Sequence, residues 1–72
     1  MEARILLISG NERFQLEAEY NAEFLFLLKR RVPTRYRAWN PSLHRWEISR
    51  SYLEEVKKLA KEYFEYVNES LI

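Results

Sequence analysis

The sequence predicts an α+β domain, a two-layer sandwich in which a mainly antiparallel four-stranded sheet carries two helices on one face, in the order ββαββα. Three observations point there. Phe14, Leu16, Ala18 and Tyr20 alternate with Arg13, Gln15, Glu17 and Glu19, the two-residue period of a half-exposed strand. Leu53, Val56, Leu59, Ala60, Tyr63 and Val67 recur at steps of three and four, the period of a helix with one buried stripe. Between them, two short alternating runs at 35–39 and 45–48 flank Asn40, Pro41, Ser42 and Leu43, which supply the turn chemistry of a hairpin.

Taken in order, residues 3–8 are a short apolar run closed by Ser9, Gly10 and Asn11, as expected of a well-covered strand entering a turn. The alternating strand from Arg13 follows. Asn21 is placed to cap a helix from Ala22 to about Arg31, with Glu23 in its first turn and Lys29, Arg30 and Arg31 at the negative end of its dipole. The continuous run from Phe24 to Leu28 also suits a buried strand, but the cap and the charge placement favour the helix. Val32 and Pro33 end it, because proline restricts the residue before it and cannot extend the hydrogen-bond ladder. Strands three and four come next. Ser51 followed by Glu54 reads as a capping box opening the long C-terminal helix through Val67.

At 72 residues the chain is expected to form one domain, 1–72, with one core and one main functional surface. It is 47% apolar and contains five Tyr, four Phe and two Trp against one Gly and two Pro, so a packed core is expected instead of disorder. No Cys is present, which excludes disulfides, thiolate zinc sites and Cys nucleophiles and suits a cytoplasmic setting. Asp is absent too, excluding Asp-based metal loops, and a single Gly excludes a glycine-rich phosphate loop. No cofactor is implied. No apolar run approaches the roughly 18 residues of a membrane span, so a membrane partner is not expected.

The net charge of +1 conceals a strong segregation. Residues 1–28, 29–50 and 51–72 carry −3, +6 and −2. The basic block is Lys29, Arg30, Arg31, Arg35, Arg37, Arg45 and Arg50, and arginine's planar fork matches phosphate or carboxylate. If Tyr36, Ala38, Trp46 and Ile48 face the helices, then Arg35, Arg37, Trp39, Arg45 and Glu47 share the open sheet face, where cations and a ring could meet phosphate and base. Charges on edge strands also serve simply to block sheet-to-sheet aggregation. Trp39, beside the turn, either stacks on a base or folds back over the core; Trp46 belongs to the core. Phe64 and Tyr66 fall off the helical stripe and could mark a protein contact.

Catalysis finds no constellation. His44 is the sole histidine, sits in the turn, and has neither further metal ligands nor an orienting Asp. Glu17, Glu19 and Glu47 beside arginines read as cross-strand ion pairs, and the glutamates and lysines of the last helix as a solvated face.

Tyr20-Asn21, Phe24, Leu28 and Lys29, then Val32-Pro33, Arg35, Trp39-Asn40-Pro41, Trp46, Ile48, Tyr52, Leu53 and Val56 form an ordered set of residues. In that order they resemble the HARP-type domain of annealing and fork-remodelling helicases, over about 40 of the 72 residues. Asn40 stands where the family usually has Asp, and the ATPase that accompanies the module in its best-known members is missing. The resemblance implies DNA binding directed by structure, at a fork or a single-/double-strand junction, as an accessory module without enzymatic activity. Site residues for that role are Lys29, Arg30, Arg31, Arg35, Arg37, Trp39, Arg45 and Arg50. Arg, Trp and Tyr also dominate protein-binding hot spots, so the alternative is a small phage-type or bacterial factor docking on an acidic patch of a polymerase or helicase.

Overall fold

The computed structural model describes residues 1–72. Its elements are β1 (Glu2–Leu7), β2 (Arg13–Ala18), α1 (Ala22–Arg31), β3 (Arg37–Asn40), β4 (Arg45–Ser49), α2 (Leu53–Tyr63) and β5 (Tyr66–Leu71), with 3₁₀ turns at Thr34–Tyr36 and Arg50–Tyr52. The α+β class and the two helices are as expected; the sheet is not. It has five strands in the order β3-β4-β2-β1-β5, and β5 pairs parallel to β1, so the sheet is mixed.

The pairing fixes the topology. β2 runs antiparallel to β4, and β4 antiparallel to β3, so β2 and β3 are parallel and α1 is the crossover between them. By the same logic α2 links the parallel strands β4 and β5. The two crossovers run in opposite directions along oppositely directed strands, so both helices reach the same face with the same hand. From β2 onward these are two interleaved split β-α-β units, with β1 inserted between β2 and β5.

The core lies between sheet and helices. Ala3, Ile5, Phe14, Leu16 and Ile48 from the sheet meet Phe24 and Leu28 of α1 and Val56, Leu59 and Ala60 of α2, with Val32 and Phe64 closing it. Phe24 joins the helices, edge-on to Phe64 with ring centroids 5.0 Å apart and to Tyr63 at 6.1 Å. Asn21 caps α1 as its position suggests, its Oδ1 accepting from the Phe24 N–H at 2.9 Å.

Two expectations at the C-terminal end are corrected. Ser51 and Glu54 form no capping box: Ser49 accepts from the Ser51 N–H, a 3₁₀ turn intervenes, and α2 starts at Leu53 without a side-chain cap. The helix also stops at Tyr63 instead of continuing through Val67. Phe64 takes an extended φ of −125°, which turns its ring into the core against Phe24, and the chain then runs along β1. Val67 does pack on the core, but from a strand, and Phe64 is buried, not an exposed contact.

α2 and β5 are tied by Lys57, whose Nζ lies 2.7 Å from Glu69 Oε1 and 3.7 Å from Glu54 Oε2. The hydrogen bond to Glu69 holds the Lys57 ammonium above its ordinary 10.5, outweighing partial desolvation. Tyr63 Oη donates to Glu23 Oε1 at 2.8 Å, linking α2 to α1, and this bond raises the phenol above its ordinary 10.0. Both groups bind their protons more tightly folded than unfolded. Their contribution is therefore complete below pH 10 and fades as pH climbs through the raised values. Lys57→Met and Tyr63→Phe should each flatten part of the alkaline fall in urea-unfolding free energy. Phe24→Ala should cost about 3–5 kcal/mol and Asn21→Ala about 1 kcal/mol in the same assay at neutral pH.

Candidate nucleic-acid interface

The hairpin β3–β4 determines where the basic block goes. A four-residue loop, residues 41–44, pairs Asn40 with Arg45, and the register then places Trp39 opposite Trp46 and Arg37 opposite Ile48. Asn40 Oδ1 holds this loop by accepting from the N–H groups of Ser42 and Leu43 at 3.1 and 3.2 Å, and His44 closes it in the left-handed region at φ 53°. Residues directly opposite in an antiparallel pair share a face. Trp46 and Ile48 face the helices, so Trp39 and Arg37 do as well.

This overturns the expected open-face patch. Arg37 and Trp39 stand on the helix side and Ala38 on the open side, the reverse of the reading that placed Ala38 inward. Pro33 and the 3₁₀ turn Thr34–Tyr36 consume the residues expected to begin strand three, leaving Arg35 and Tyr36 outside it. Arg45 and Glu47 do lie on the open face. There Arg45 Nε donates to Glu17 Oε2 at 3.4 Å and its NH1 to Gln15 Oε1 at 3.0 Å, while Glu17 also pairs with Arg4 and Glu47 accepts from Asn40. Arg45 is thus neutralised within a cross-strand network.

The other six cations gather elsewhere. β2 and β3 begin, and β4 and α1 finish, at one end of the molecule, which collects Lys29, Arg30, Arg31, Arg35, Arg37 and Arg50 together with Arg13. None of the seven is paired with a carboxylate. Backbone carbonyls and rings hold several of them in place. Arg37 Nε donates to Val32 O at 2.9 Å, fastening the start of β3 to the end of α1, and its guanidinium carbon lies 5.8 Å from the Trp46 ring centroid. Arg50 donates to Ile8 O at 2.7 Å and Arg13 to Arg35 O at 3.3 Å. The Arg35 guanidinium lies over the Tyr36 ring, which packs against Tyr52. Lys29, Arg30 and Arg31 complement the α1 dipole while their charges stay in water.

Toward the other end of the sheet, where β2 finishes and α1 begins, a groove of about 260 Å³ lies between α1 and the β3–β4 hairpin, lined by Tyr20, Leu25, Trp39 and Trp46, with Glu19 as its one charged residue. Trp39 meets Trp46 edge to face at 5.3 Å and is 47% exposed; Trp46 packs against the core. Leu25 and Lys29, one turn apart on α1, face the hairpin, and Lys29 Nζ lies 5.9 Å from the Trp46 centroid. Tyr20 and Leu25 are absent from the sequence-based site. The missed signal is the loop length: four residues between Asn40 and Arg45 set the two tryptophans opposite each other.

No three His or carboxylate side chains converge as a metal site requires, and no helix is long and apolar enough to cross a membrane. With Trp39 as the only remaining tryptophan, Trp46→Phe should show markedly stronger acrylamide quenching than Trp39→Phe, which retains the shielded ring. In comparisons with known proteins, no family model, no curated protein and no solved structure matches the chain.

Proposed function

We propose that this chain is an accessory DNA-binding module of HARP type, which contacts phosphates with the basic end of the molecule and carries out no catalysis itself. One observation carries the reading. Seven cations, six of them arginines, collect at one end without a carboxylate partner, in a chain whose net charge is only +1. Cations that served only to keep the protein dissolved would be interspersed with acids, as they are on the open sheet face. Guanidinium groups held by backbone carbonyls and aromatic rings lose little freedom on meeting a phosphate, which favours binding. The resemblance of residues 20–59 to the HARP-type module supports DNA as the polyanion, and a cytoplasmic location belongs to the same proposal.

The weak net charge limits long-range steering, so affinity depends on local contacts and falls steeply with salt. The clearest discriminator is Arg45, which the HARP-type reading of the sequence includes and which the open-face network neutralises. Binding of a labelled forked duplex, followed by fluorescence anisotropy across a salt series, should show roughly micromolar affinity at low salt. Arg35→Ala and Arg37→Ala should each weaken it and reduce the salt slope by roughly 0.7–0.9, the share of one phosphate contact. Arg45→Ala should leave the slope unchanged. Absence of binding at low salt would sink the proposal, and capture of a polymerase or helicase through the same arginines would put a protein partner in its place.

A further inference from the structure

The groove between α1 and the hairpin is not needed to grip a phosphate backbone, and its composition differs from that of the basic end. Its walls are aromatic and aliphatic. Tyr20 is 78% exposed and its ring has neither an aromatic neighbour nor a hydrogen bond, although it flanks an apolar slot. Trp39, which also lines the slot, is 47% exposed. Two large uncovered rings lining one groove are costly to hydrate and offer surfaces on which a flat ligand can stack.

Charge narrows the occupant. Lys29 and Arg37 both lie within 6 Å of the Trp46 ring centroid, at 5.9 and 5.8 Å, so the ring's negative face is already engaged by two cations. A third cation, such as a methylated ammonium, would meet like charge there. A flat ring carrying an anion would instead match the apolar walls with its ring and the cations flanking Trp46 with its charge. Glu19, the one charged lining residue, adjoins Tyr20 and would repel a phosphate there, whereas Lys29 and Arg37 stand outside the lining, against the Trp46 ring, where they can meet a phosphate carried beyond the groove. The volume, about 260 Å³, falls just under the roughly 300 Å³ at which drug-sized pockets begin, which suits one ring system and not two.

We infer that the α1–hairpin groove holds a single unpaired nucleobase, stacked between Tyr20 and Trp39, with its phosphate against Lys29 and Arg37. This rests on the DNA-binding reading above and adds to it: a duplex keeps its bases stacked inside, so the groove selects single-stranded ends or gaps. Trp39 is the stacking platform and Tyr20 the opposing wall, while Leu25 closes the floor.

The test compares two short single-stranded oligodeoxynucleotides of equal length and charge, one of ordinary bases and one with abasic sites throughout, titrated into the full chain with tryptophan emission and anisotropy read together. The base-bearing strand should quench emission and bind roughly five- to hundred-fold tighter than the abasic strand, the range for one stacked base. Trp39→Ala should abolish that discrimination while leaving salt-dependent binding of the abasic strand intact, and Trp39→Phe should keep most of it. Circular dichroism confirms that each variant is folded, and Tyr20→Ala, at a side chain exposed in the loop before α1, provides a second variant that should reduce discrimination. Equal binding of both strands, without quenching, overturns the groove assignment while the phosphate-binding reading stands. Binding of neither strand overturns that reading and the groove assignment with it.

Discussion

Trp39 opposite Trp46 is the constraint from which the candidate surface follows. Side chains alternate across a strand with a period of two, so a shift of one residue in the β3–β4 pairing would send Arg37 and Trp39 to the open face and bring Ala38 inward. The four-residue loop, held by the Asn40 side chain and closed by a left-handed His44, permits only the observed register. That register puts one tryptophan over the core edge and the other beside it. It also brings Arg37 close enough to α1 to donate to the Val32 carbonyl, so hairpin and helix end are clamped together. The basic end and the groove are thus two consequences of one pairing.

Phe24 is the common element: it lies in α1, touches Phe64 and Tyr63 edge-on, and forms part of the groove wall. Packing that stabilises the helix pair therefore also fixes the slot beside Trp39, so the core itself shapes the groove. On the far side the arrangement is polar. Glu17 bridges Arg4 and Arg45, and the open face carries its charges in pairs. The contrast between a neutralised face and an uncompensated end gives the molecule its polarity despite a net charge near zero.

Much of the fold was legible in the residues. Asn21, Glu23 and the cluster from Lys29 to Arg31 marked α1, and the alternation from Arg13 marked β2, because caps, dipoles and period-two patterns act locally. β5 was not legible. Phe64 ends α2 without Gly or Pro, for a tertiary reason, its contact with Phe24, and Tyr63 and Val67 happen to continue the helical stripe across the break. The site was half legible: composition located the cations along the chain, but their face depended on a loop length and a 3₁₀ turn after Pro33. Tyr20 went unnoticed as a groove wall because alternation assigned it to the core side of β2, whereas the strand ends at Ala18.

The parallel alignment of β5 with β1 has a bearing on how the chain is made. Nearly every residue separates the two partners, so during synthesis the outer edge of the first strand emerges long before the segment that will cover it. Until then its amides face water unmatched, and only the hairpin with β2 shields the other side. The sheet therefore stays open along one edge until β5 has been made, and its completion waits on the most distant pairing between strands.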